Sequence, residues 1–160
     1  NESPFNQNKA PERLAEILRS LSLFARLDPT TIEYLTHHTT SELFGIGEQI
    51  ATTGVFDQAF YVLLSGQVLL SVKDQVGHKQ EITYLSEGEF LGETVFLPGE
   101  PSRVDATVTQ TTNVLKISPK AIAHLTQHHP KFAVEMSQFI EEREKLIRLA
   151  EGVEHSAKHL

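Results

Sequence analysis

Gly88-Glu89-Phe90-Leu91-Gly92-Glu93 is followed, ten residues after Glu93, by Arg103. Two glycines let the backbone approach a ligand closely. A carboxylate such as that of Glu93 accepts hydrogen bonds from sugar hydroxyls, and a guanidinium such as that of Arg103 clamps a phosphate with two parallel bonds. One acceptor, one clamp and a permissive backbone on a short stretch of chain suit a ribose-phosphate ligand.

The flanking sequence extends the pattern. Leu23-Phe24-Ala25-Arg26-Leu27 precedes Thr31-Ile32-Glu33-Tyr34-Leu35, then Gly47-Glu48-Gln49-Ile50 with Gly54, then Tyr61-Val62-Leu63-Leu64-Ser65-Gly66-Gln67-Val68. In this order and spacing, from about Leu18 to Ile147, the chain resembles the cyclic nucleotide-binding domain family, and 88–105 resembles its phosphate-binding cassette. The resemblance implies a mainly β fold: a β jelly roll (double-stranded β-helix) with N-terminal helices and C-terminal helices.

It also implies roles. Gly92 would keep its backbone close to the phosphate or ribose, Glu93 would hold the ribose 2′-hydroxyl, and Arg103 would neutralise the cyclic phosphate. Backbone N–H groups of Thr94 and Val95 would donate to the same oxygens from a helix start. Val104 would adjoin the ligand, with Leu70 and Ile82 as its apolar wall. Counted forward from Glu93, Arg103 takes the family's arginine position; counted back from Val114–Ile117, Ser102 takes it. A one-residue slip turns a strand side chain to the opposite face. The sequence departs from the family pattern at Thr94, Val95, Val104 and Asp105. A carboxylate at Asp105 within reach of a phosphate would oppose binding.

The chain has 160 residues, enough for one domain with one core. It has no cysteine, which excludes disulfides and thiolate metal sites. No apolar run reaches membrane-spanning length and no signal-peptide pattern opens the chain. A cytoplasmic protein, or the cytoplasmic part of a membrane protein, is expected. The net charge of −7 disfavours direct nucleic-acid binding, which needs a basic surface. Residue 1 is Asn and Met136 is the only methionine, so a piece of a longer parent protein is expected.

Local signals divide the chain. Residues 1–10 are polar and expected to fray. The N-terminal helical segment covers 11–40: Leu14, Ile17, Leu18 and Leu21 recur at helical spacing, and Asp28-Pro29 starts a second helix running through Thr36. The jelly roll covers 41–117, with strands at Gln49–Ala51, Phe60–Leu64, Gln67–Val72, Glu81–Leu85, Arg103–Thr109 and Val114–Ile117, and a hairpin turn at Asp74-Gln75-Val76-Gly77. The C-terminal helices cover 118–160: Ser118-Pro119 restarts helix through His128, and Pro130 opens a last helix to about Gly152 or beyond.

On that last helix, Phe139, Arg143, Leu146, Ala150, Val153 and Ala157 alternate at spacings of four and three. The stripe suits a coiled-coil seam or packing on the chain's own sheet. Arg143 within it is the candidate lid residue. Glu141-Glu142-Arg143-Glu144-Lys145 reads as a solvated face. Of eight histidines, His124 and His128 stand at i, i+4 without an evident third ligand, which favours helix-end histidines over a metal site. No nucleophile elbow, Walker loop or His-Glu-x-x-His motif is present.

The expectation is a non-enzymatic regulatory domain with no cofactor and no metal. It would bind a cyclic nucleotide, cAMP ahead of cGMP, and pass the signal through its C-terminal helix to a parent such as a channel, transporter, kinase or transcription regulator. That helix is also the candidate homodimer contact. The alternatives are a scaffold or dimerisation domain that lost its ligand, and a receptor for another anion such as a cyclic dinucleotide.

Overall fold

The strand spanning Asp105–Ile117 organises the sheet, because it pairs antiparallel with three others. In the computed structural model, which describes residues 3–56, 59–92 and 100–152 and side chains from Glu12 onward, the order is α1 (Ser3–Ser20), α2 (Pro29–Thr36), β1 (Thr39–Phe44), β2 (Gln49–Ala51), β3 (Phe60–Lys73), β4 (Lys79–Leu85), β5 (Phe90–Leu91), β6 (Asp105–Ile117), α3 (Pro119–His128) and α4 (Pro130–Glu151). The six strands run β1-β6-β3-β4, with β2 also on β6 and β5 also on β3. The fold is mainly antiparallel β with flanking helices, as expected.

Helix starts follow from their caps. Asp28 accepts from the Thr31 N–H at 3.1 Å and Ser118 from the Ala121 N–H at 3.2 Å, each with proline next in sequence. Gly152 ends α4 in the left-handed region at φ 87°. The β3–β4 turn is held by the Asp74 carboxylate, which accepts from the N–H groups of Val76 and His78 and from the Gln80 amide.

Three expectations need correction. The backbone of α1 is helical from Ser3, not frayed to residue 10; these residues lack an apolar period, but Gln7, Lys9 and Ala10 are helix-compatible. β1 and β5 were not expected as strands. The runs split at Ser65-Gly66 and at Gln110–Asn113 are single strands that bend. At that bend β3 shifts register repeatedly against β6. Gly66 has φ 99°, and a Cβ there would overlap the backbone and side chain of Thr112. Glycine therefore permits a close crossing inside a strand rather than a turn between two.

Because β3 alternates with period two, it serves two cores. Phe60 and Val62 join Phe24, Ile32, Leu115 and Ile122 in a core between sheet and helices. Tyr61, Leu63 and Leu70 face the roll interior with Ile50, Val108 and Val114. The first half of α4 is seated on the helical core through Phe132 and Met136. Its last turn meets the β3–β4 hairpin, where the Gln75 amide donates to the Glu151 carbonyl at 3.2 Å. Among the described residues, no helix is long and apolar enough to cross a membrane.

Candidate functional site

The segment 86–92 is stitched to β3. The N–H of Gly88 donates to the Leu63 carbonyl and the N–H of Leu63 to the Glu89 carbonyl, at 2.8 and 2.9 Å. Chain pairing then delivers Leu91 opposite Tyr61 and ends at Gly92. Gly92 has φ 111°, and an added Cβ would overlap the carbonyl oxygen of Ala59 and crowd the Phe60 Cα. The close approach made by this glycine is to the chain's own backbone.

Beyond Gly92 lies a cleft of about 70 Å³. Its floor is Ala51, Ala59, Leu70 and Leu91, its rim Glu100 to Val104, and its roof Ile140, Glu144 and Ile147 of α4. Glu93, Thr94 and Val95 lie outside the described residues. Of the other expected site residues, Gly92, Arg103, Val104 and Leu70 come together here.

Ser102, the alternative to Arg103, also lines the cleft but is 7% exposed and tied up locally. Its N–H donates to the Val55 carbonyl at 3.0 Å, its carbonyl accepts from the Gly54 N–H at 2.8 Å, and its hydroxyl donates to the Val104 carbonyl at 2.7 Å. These bonds fix the rim and leave Arg103 as its cationic side chain.

Two expected site residues are elsewhere. Ile82 sits at a β-bulge, where Leu70 pairs with Thr83 and Ser71 with Glu81. It packs half-buried against the interior core and does not line the cleft. Arg143 does not line the cleft either: it is 5% exposed, and its Nη1 donates to the Phe90 carbonyl at 2.8 Å. Its guanidinium lies over the rings of Phe90 and Phe139, 5.5 and 5.4 Å from their centroids. One helical step further, the neighbouring stripe meets the cleft instead.

Asp105 also turns away. Its carboxylate accepts from the Thr53 N–H at 2.8 Å, bracing the turn after β2. The carboxylates that do meet Arg103 come from α4. Arg103 Nη1 lies 2.6 Å from both oxygens of Glu144, and Nη2 lies 2.8 Å from Oε1 of Glu151. Arg148 Nε joins Glu144 from the same helix at 2.9 Å. Burial pushes the Glu144 carboxyl up, but hydrogen bonds from Arg103 and Arg148 outweigh it and hold the group below the usual carboxylate range. Burial likewise opposes the Arg103 charge, and the bonds to Glu144 and Glu151 more than restore it.

The solvated face expected over Glu141 to Lys145 is corrected at Arg143, which is buried, and at Glu144, which is drawn to Arg103; Glu151 was not singled out from the sequence. The signal was present: Ile140, Glu144, Ile147 and Glu151 repeat at spacings of four, three and four. His124 packs tilted between the rings of Tyr34 and His128 at 4.4 Å centroid distances, and among the described residues no group of three or more His, Asp or Glu is placed to hold a metal.

The cleft thus sets one guanidinium, paired with two carboxylates of α4, at the rim of an apolar floor. The sequence pattern of the cyclic nucleotide-binding domain matches residues 42–129. The chain is 28% identical over 112 residues to the cAMP-activated global transcriptional regulator CRP of Pasteurella multocida, covering 69% of this chain and 53% of that protein. It therefore spans about half the length of the curated relatives of this kind that it matches. Among solved structures, the sensor domain of the transcriptional regulator DNR from Pseudomonas aeruginosa shares its fold with a TM-score of 0.71 at 20% identity, over 84% of this chain and 91% of that one. The regulatory domain of Toxoplasma gondii PKA, solved with cAMP, does so with a TM-score of 0.74 at 16% identity, over 86% and 54%. With more than half its length inside the matched pattern, the chain belongs to the cyclic nucleotide-binding domain family.

Proposed function

We propose that this chain is a regulatory, non-catalytic module of a larger cytoplasmic or membrane-attached protein, and that it binds a cyclic nucleotide, cAMP ahead of cGMP. The observation that carries this reading is the position of Arg103 on the rim of an apolar cleft roofed by α4. The phosphate goes to Arg103, the ribose to Glu93 and the Gly92 backbone, and the remainder lies over Leu70 and Val104. Thr94 and Val95 supply backbone donors. Support for cAMP comes from the names of the relatives: a cAMP-activated transcriptional regulator and a PKA regulatory domain solved with cAMP. Since α4 forms the roof, occupancy of the cleft bears directly on that helix, which carries the signal onward. A ligand drives such a change only through unequal affinity for the two helix arrangements.

Calorimetric titration of nucleotide-stripped protein with cAMP and cGMP tests the reading. Micromolar heat with cAMP, weaker heat with cGMP and loss of both in Arg103→Ala are expected. A second reading, a scaffold that needs no ligand, is favoured by the existing occupation of Arg103 by Glu144 and Glu151. Its signature is a folded, empty protein giving no heat with cAMP, cGMP or a cyclic dinucleotide.

A further inference from the structure

We propose that Glu144 and Glu151 are resident anions of the phosphate site, latching the last part of α4 onto Arg103 until a ligand phosphate displaces them. The inference rests on the cyclic nucleotide reading for the identity of the competing anion, but the latch itself stands on geometry.

A carboxylate and a phosphodiester each present two oxygens to a guanidinium, so they compete for the same donors. Both ends of the Arg103 guanidinium are already engaged, Nη1 by Glu144 and Nη2 by Glu151. These side chains are only 39%, 33% and 18% exposed, so solvent screens them less than an open surface pair. Arg103 and Arg148 balance Glu144 and Glu151 in charge. A phosphate added without moving the glutamates would bring a third anion to one guanidinium, while Glu100 lines the same cleft.

Glu144 and Ile147 help to form the roof of the cleft, so a ligand seated beneath it meets α4 at the latch itself.

The helix is built to yield at one end. Its first half is held by Phe132 and Met136 in the core and by Arg143 on the Phe90 carbonyl. Past Arg143, the contacts among the described residues include Arg103 to Glu144, Arg103 to Glu151 and Gln75 to the Glu151 carbonyl, with Ile147 buried. Trading one anion for another at Arg103 thus converts occupancy into release of 144–152 while 130–143 stays seated.

The test compares the 160-residue chain with Glu144→Gln/Glu151→Gln and Arg103→Ala. Hydrogen exchange of the 144–152 amides is read without ligand, and cAMP affinity by calorimetry. Exchange in 144–152 should rise about tenfold in both variants, with 130–143 unchanged. cAMP affinity should rise about tenfold in the glutamine variant and be lost in Arg103→Ala. Faster exchange in both variants with no cAMP heat from any protein upholds the latch and defeats the cyclic nucleotide reading. Unchanged exchange in the folded glutamine variant overturns the latch, whatever binds. So does a glutamine variant whose cAMP affinity falls or stays level while the wild-type protein binds.

Discussion

The buried guanidinium of Arg143 ties α4 to the sheet through the backbone carbonyl of Phe90, 2.8 Å away, with aromatic rings of Phe90 and Phe139 against it. A charge-assisted hydrogen bond of this kind contributes about 1.5–3 kcal/mol, and leaving the buried carbonyl unpaired adds a cost. Arg143→Met should lower stability by about 2 kcal/mol and the melting temperature by roughly 4–8 °C. Calorimetric unfolding checks this. Since Arg143 does not line the cleft, cAMP affinity at 10 °C, where the variant stays folded, should change less than in Arg103→Ala.

Gly92 and Gly88 separate backbone strain from steric overlap. Both have positive φ, but a Cβ at Gly88 meets nothing within 4 Å, whereas one at Gly92 overlaps the Ala59 carbonyl. Gly88→Ala should cost about 1 kcal/mol through its left-handed conformation. Gly92→Ala adds overpacking and should cost about 3 kcal/mol or more. Parallel urea titrations of the two variants decide the order.

Asp105 braces the turn after β2 through the Thr53 N–H and points away from the cleft. Asp105→Ala should lose about 1 kcal/mol of stability. Its cAMP affinity should stay within about twofold of the parent, since screened charges outside the site act weakly. A tenfold gain in affinity would put the carboxylate at the ligand instead.

His124 should make stability fall in mild acid. Burial first, then the charges of His128, His129 and His38, holds its pKa below the ordinary value of 6.5, and Tyr34 packs against its ring. Just below pH 6.5 the unfolded chain therefore binds more protons at this position than the folded one. Stability from this group is full above pH 6.5 and is lost as pH falls through the folded-state pKa. The melting temperature at pH 5.5 should be lower than at pH 7.5, and His124→Gln should narrow the gap.

Elements marked by chemistry at a single residue were legible in the sequence. Asp28-Pro29 and Ser118-Pro119 mark helix starts and Asp74 to Gly77 a hairpin, because each supplies a cap or a backbone conformation that few residues provide. Elements decided by partners were not. β1 is a mostly exposed edge strand with little apolar alternation, and β5 has two residues, too few to show a period. In α4, the stripe through Phe139, Arg143 and Leu146 and the stripe through Ile140, Glu144 and Ile147 share one spacing. The sheet selects between them, burying Arg143 against Phe90 and leaving Phe139 and Leu146 40% and 46% exposed. The cassette's glycine and arginine were readable as residue types, but the carboxylates that occupy the arginine sit forty and more positions away and meet it only through folding.

A strand that feeds two cores tolerates insertions very unevenly along its length. One extra residue between Phe60 and Leu63 would hand the side chains of each core to the other, misplacing Phe60 and Tyr61 together. The same insertion at the tip near Gly77, where a Cβ meets open space, leaves both cores intact. Length variation in related chains, and sites for inserted tags, should therefore gather at that hairpin tip and avoid the start of β3.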